Sequence, residues 1–159
     1  MPMTHTTPPD CAAAGLSLGS LIARDPAGGV SALFAGRRIS YSFNTRVAIR
    51  RTCDVLGLKP GDEVLAPAYN CGSELDPLLD AGLTLRLYPV DCHAQIDPAK
   101  IARRITPQTR ALYLTHYFGF QHDCPAAIRQ LCDDHGLWLI EDCALSLLSG
   151  PSPAEGRAG

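Results

Sequence analysis

From residue 39 onward, short apolar runs alternate with stretches of helical periodicity, and that alternation limits the folds open to the chain. Parallel strands cannot be joined by a tight hairpin, so strands interleaved with helices predict a parallel sheet built from crossover connections. Ile39 to Phe43 reads as a strand and Thr45 to Leu56 as a helix. Gly57 closes that helix, since glycine adopts the left-handed cap conformation without a Cβ clash. Lys59-Pro60-Gly61-Asp62 turns the chain into a second strand, Glu63 to Ala66. Cys71 to Ala81 sets Leu75, Leu78 and Leu79 on one helical face, with Pro77 shortening or bending the helix and Gly82 ending it.

Thr84 to Tyr88 is the third strand, and Asp97-Pro98 announces the next helix as N-cap and first helical residue. That helix runs to about Ile105, and Arg110 to Thr115 follows as a strand in which Ala111, Leu112, Tyr113 and Leu114 are consecutive. An unbroken apolar run suits a strand covered on both faces. Asp123 or Cys124 caps a further helix with Pro125 near its start, Ile128, Leu131 and Cys132 facing inward, and Gly136 at its end. Leu137 to Ile140 is the fifth strand. It delivers Glu141 and Asp142 to the carboxyl edge of the sheet, the edge at which parallel α/β folds bind ligands. The expected class is α/β, a mostly parallel sheet with crossover helices.

At 159 residues with 46% hydrophobic positions the chain closes one core. Residues 1–29 form an N-terminal segment, rich in Pro, Ala and Gly, in which Leu16 to Ile22 resembles a short helix; residues 30–148 form the main domain. Residues 149–159 hold too few apolar side chains to offset ordering entropy and are expected to be a flexible tail. Fourteen Lys plus Arg are scattered among sixteen Asp plus Glu, so the sequence carries no electrostatic footprint for nucleic acid. No apolar run approaches the roughly 20 residues of a bilayer-crossing helix. The start lacks a signal-peptide pattern, and the expectation is a soluble, cytoplasmic protein with no membrane partner. Seven cysteines without a C-x-x-C pair fit neither a disulfide framework nor a zinc site. His122 with Cys124, and Cys132 with His135, each lack a second ligand pair, so the thiols are expected reduced and no metal is expected.

No G-x-G-x-x-G follows a strand and no G-x-x-x-x-G-K-[ST] is present, which disfavours dinucleotide binding and nucleotide hydrolysis. What remains is Asn44-Thr45, at the mouth of a helix whose free N–H groups and dipole favour an anion, with the Thr45 hydroxyl at hand. A purely structural role for Asn44 as N-cap explains the same residue equally well.

Several longer stretches narrow the choice: Gly57-Leu58-Lys59-Pro60-Gly61-Asp62-Glu63-Val64-Leu65-Ala66-Pro67-Ala68-Tyr69-Asn70-Cys71, Pro77 to Gly82, Ile96-Asp97-Pro98, Ile105 to Arg110, Thr115-His116-Tyr117-Phe118-Gly119, and Gly136 to Ala144. In this order, over about residues 39 to 148, the sequence resembles the DegT-type sugar aminotransferases, and in particular the N-terminal part of their large domain. The resemblance implies a partial fold type I large domain and pyridoxal 5'-phosphate as cofactor. It also implies transfer of an amino group from an amino-acid donor to a nucleotide-linked ketosugar, in a homodimer. It sets Asn44 and Thr45 where members have Gly-Thr around the cofactor phosphate, the asparagine being tolerable because Asn also visits left-handed conformations. Cys71 stands where many members place an aromatic ring over the cofactor. Asp142 matches the acid that pairs with the pyridine nitrogen, while Glu141 reads as its neighbour. Leu145 stands where members use Gln or His toward the phenolic oxygen, and leucine cannot make that bond. His116 and Tyr117 fall at the same edge, as lining or as packing.

The Schiff-base lysine of this chemistry lies beyond the acid in the family, and no lysine follows Asp142 in this sequence. Lys59 falls in a turn toward the amino edge and Lys100 on a solvated helix. The expectation is therefore a chain truncated before that lysine and inactive by itself, with no catalytic residue assigned. The alternative is a decayed, non-catalytic binding or interaction module, favoured by Asn44, Cys71 and Leu145.

Overall fold

A computed structural model describes residue 36, residues 38–120 and residues 122–146. The chain separates at Ser40, and the elements below belong to the unit Tyr41–Gly159. The expected N-terminal segment 1–29, with its helix at Leu16 to Ile22, and the expected tail 149–159 lie outside the described residues.

Among the described residues, β1 (Glu63–Pro67), β2 (Thr84–Tyr88), β3 (Thr109–Thr115) and β4 (Trp138–Asp142) form one parallel sheet in the order β2-β1-β3-β4. The helices are α1 (Thr45–Leu56), α2 (Asp76–Asp80), α3 (Pro98–Ala102) and α4 (Pro125–His135). The α/β class with crossover helices is thus borne out. Strand alternation divides the apolar residues between two cores. Val64, Ala66, Ala111 and Tyr113 cluster with Ile49 and Cys53 of α1 and Leu78 of α2. Leu65, Leu112 and Leu114 cluster with Ile101 of α3 and Ile128 and Cys132 of α4. β3 is buried along its length except at Arg110, as its apolar run predicts.

The expected strand Ile39 to Phe43 does not form: residues 38–42 carry no regular structure. A period-of-two apolar pattern yields a strand only where a neighbouring strand accepts its ladder, and Tyr41 and Phe43 instead stand largely exposed. The helix expected over Cys71 to Ala81 is shorter. Proline has no N–H to give to a preceding turn and belongs in the first turn of a helix, so Pro77 starts α2 near Asp76 instead of bending a longer helix. α3 likewise stops at Ala102, and Arg104 and Ile105 close it with turn hydrogen bonds. Cys124, not Asp123, is the N-cap of α4, and its side chain makes no capping bond. β4 begins one residue late and runs through Asp142, because its limits are set by pairing with β3, from Ala111 opposite Trp138 to Thr115 opposite Asp142.

The amino ends of three strands are tied by one buried carboxylate. Glu63 Oε1 accepts from the hydroxyls of Thr109 (2.6 Å) and Thr106 (2.9 Å), and Oε2 from Arg86 Nε (2.7 Å). Burial opposes the charge on Glu63, but the Thr109, Arg86 and Thr106 hydrogen bonds outweigh it and hold its pKa below the usual value. Glu63→Ala strands three donors and is expected to lower unfolding stability by about 2 to 3 kcal/mol in urea titration. Because the folded pKa lies below the unfolded one, this contribution is present above the unfolded pKa and fades as pH falls through the folded value. The stability gap between wild type and Glu63→Gln should therefore narrow on acidification. Gly82 sits at φ +77° with Pro60 Cβ 3.0 Å from where a Cβ would stand. Gly82→Ala is expected to cost about 1 to 2 kcal/mol in the same assay.

Candidate functional site

In a parallel sheet every strand delivers its carboxyl end to the same rim. The chain moves outward from β1 to β2 on one side and from β3 to β4 on the other, so the order reverses between β1 and β3, where a crevice opens. A cleft of about 270 Å³ lies at this rim. Thr45 and Arg46 reach it from α1, Cys71 and Glu74 from the segment after β1, and His116, Asp142 and Leu145 from the ends of β3 and β4. Three of the four expected cofactor contacts, Thr45, Cys71 and Asp142, therefore share one cleft.

Asp142 is held from two directions. Its Oδ2 accepts from the Tyr113 hydroxyl at 2.7 Å and its Oδ1 from the Ala144 N–H at 2.9 Å, while its carbonyl accepts the His116 N–H at 3.0 Å. Tyr113 is fully buried. Burial, then the hydrogen bond to Asp142, push its phenol far above the usual range, so it is a neutral donor.

Asn44 stands just behind the cleft as the N-cap of α1, its Oδ1 accepting from Val47 N–H at 3.0 Å. Its φ of −154° is extended, so the left-handed conformation that would ease an Asn-for-Gly exchange is not used here. The side-chain oxygen is committed to the cap, while Thr45 and Arg46 occupy the first turn, where N–H groups lack intrahelical acceptors.

Cys71 gives its thiol to Glu74 Oε2 at 2.6 Å and its N–H to Oε1 at 3.1 Å. Burial raises the Glu74 pKa, but the Cys71 thiol and the neighbouring backbone N–H groups more than reverse that and keep the carboxyl below its usual range. His116 is buried with Nε2 3.3 Å from Glu141 Oε1. Leu145 brings an apolar side chain to the rim and is 61% exposed. Neither Lys59 nor Lys100 lines the cleft.

Tyr117 lines a separate cavity, of about 530 Å³, with Tyr69, Phe118 and His122. Its hydroxyl donates to the Tyr69 carbonyl at 2.6 Å, and burial pushes its pKa up to about 12. Burial also depresses His122, despite the 2.8 Å contact of its Nε2 with the Thr115 carbonyl. Sequence reasoning passed over Tyr113, Arg46 and Glu74. The available signals were a lone hydroxyl inside the apolar β3 run, a cation in the first turn of α1 and an acid three residues after Cys71.

Residues 35–152 match the DegT/DnrJ/EryC1/StrS aminotransferase family. GDP-perosamine synthase of Vibrio cholerae is 31% identical over 102 residues, 64% of this chain and 28% of that protein. The dTDP-3-amino-3,4,6-trideoxy-alpha-D-glucose transaminase of Streptomyces venezuelae is 38% identical over 90 residues, 56% of this chain and 24% of that protein. Among solved structures, S. venezuelae DesV in complex with a ketimine intermediate superposes with a TM-score of 0.60 at 33% identity, covering 64% of this chain and 28% of that one. The Bacillus subtilis protein ntda with bound cofactor PMP gives 0.59 at 32% identity, covering 72% and 26%. The chain spans about a quarter of the length of the curated relatives it matches. With 118 consecutive residues matched and a parallel sheet that superposes on solved aminotransferases, the chain belongs to the DegT/DnrJ/EryC1/StrS aminotransferase family.

Proposed function

We propose that the cleft holds pyridoxal 5'-phosphate, and that the chain supplies the cofactor-cradling part of a transaminase acting on a nucleotide-linked ketosugar with an amino-acid donor. The observation that carries the proposal is the opening of the α1 N-terminus and the Asp142 carboxylate into one cleft. The donor set fits the group. Thr45, Arg46 and the free N–H groups of the first turn offer hydrogen bonds and positive charge to a phosphate. Asp142 offers a carboxylate oriented by two hydrogen bonds to a protonated ring nitrogen. When bound, pyridoxal 5'-phosphate supplies the electron sink that amino-group transfer requires.

In this reading Asp142 keeps the ring nitrogen protonated, because a carboxylate beside it favours the charged form. Thr45 and Arg46 would hold the phosphate by hydrogen bonding and charge. The names of the relatives support nucleotide sugars as the substrate class, since those of V. cholerae and S. venezuelae concern GDP- and dTDP-linked sugars. A second reading, a binding module without turnover, draws on Leu145, which offers no hydrogen bond at the rim, and on Cys71, whose thiol is engaged with Glu74.

Titrating the purified chain with pyridoxal 5'-phosphate and following its absorbance should give saturable binding that Asp142→Ala weakens by about tenfold, the scale of a charged hydrogen bond. Equal affinity in the two proteins would sink the cofactor reading. Because neither lysine lines the cleft, borohydride treatment followed by mass spectrometry should find no stoichiometric adduct on Lys59 or Lys100. One full equivalent on either would assign the attachment differently. Arg46→Ala should weaken binding of pyridoxal 5'-phosphate more than that of pyridoxal, a comparison that isolates the phosphate contact.

A further inference from the structure

We infer that Tyr113 is a positioning residue for Asp142: its hydroxyl on Oδ2 and the Ala144 N–H on Oδ1 form a two-point clamp that fixes the carboxylate plane. The inference deepens the cofactor reading by naming what orients the carboxylate, while the clamp itself belongs to the protein alone.

An aspartate at the end of a strand has two side-chain torsions to spend, and one hydrogen bond fixes at most one of its oxygens. Here both oxygens are engaged, at 2.7 Å by Tyr113 and at 2.9 Å by Ala144. Each ionised carboxylate oxygen accepts in two directions, so an acceptor site remains on each for a partner in the cleft. Neither donor is free to drift. Ala144 donates from the backbone, and the Tyr113 ring is packed among Ile49, Cys53, Val64 and Leu75. The Tyr113 carbonyl also receives the Tyr88 hydroxyl at 2.8 Å.

Packing does not explain the hydroxyl. The neighbours of Tyr113 along β3 are the aliphatic Leu112 and Leu114, and an aliphatic residue would fill the position without bringing a polar atom to bury. The hydroxyl's hydrogen-bond partner is Asp142.

Tyr113→Phe removes one oxygen and keeps the ring. In the 159-residue chain without cofactor and at one fixed pH, the Asp142 carboxyl is followed by carbon-13 NMR and assigned with Asp142→Asn. Tyr113→Phe is expected to shift and broaden the Asp142 carboxyl resonance as its plane is released, while the resonance of the exposed Asp80 stays in place. An unchanged Asp142 resonance overturns the inference and leaves the cofactor reading standing. If the variant does not fold, the wild-type chain supplies the second readout. The Tyr113 hydroxyl proton should be protected from exchange, and Asp142→Asn should change its chemical shift; free exchange or an unmoved shift overturns the clamp. Loss of pyridoxal 5'-phosphate binding in wild type would count against the cofactor reading alone, since the carboxylate resonance is read in its absence.

Discussion

The rim chemistry depends on the parallel register between β3 and β4. Thr115 lies opposite Asp142 and Tyr113 opposite Ile140, so Tyr113 and Asp142 project from the same face as diagonal neighbours. A slip of one residue would send Asp142 to the face of Leu112 and Leu114 and Glu141 to the cleft. The register is itself secured by burial. Ala111 and Tyr113 fill one core and Leu112 and Leu114 the other, so a slip would exchange the side chains that the two helical layers were built to receive.

The same sheet separates stability from chemistry along its length. At the amino end, Glu63 gathers Arg86, Thr106 and Thr109 into a buried cluster that holds β1, β2 and the start of β3 together. At the carboxyl end, charged and polar groups face a cleft, and their hydrogen bonds leave acceptor positions open toward it. Glu63 has its carboxylate enclosed by donors, and its role is cohesion. Asp142 is held from two sides at a rim with space beside it, an arrangement suited to a ligand.

Much of the fold was legible because its local signals agree with its packing. Gly57 takes φ +69° at the end of α1, Asp97 caps α3 through Ala99 N–H, and Gly136 closes α4 at φ +63°. Each of these is a backbone requirement that a residue type announces on its own. Ile39 to Phe43 misled because alternation records which side chains are apolar, not whether a strand stands next to them. Pro77 marks a short helix, as expected, and it does so from the first turn, where a proline is a beginning rather than a bend.

Asp142 and Thr45, which fall beside element boundaries that a sequence marks, line one cleft, whereas Asn44 has its side chain committed to capping Val47 N–H. By itself the sequence determined the order of strands and helices, the two-sided burial of β3 and the delivery of an acid to the end of the last described strand. These follow from composition and period over a few residues. The tertiary structure alone decided that Tyr113, 29 positions away from Asp142, would clamp it, and that Glu63 would meet Thr106 and Thr109. Those contacts arise from strand order and register, which bring distant segments within hydrogen-bonding distance.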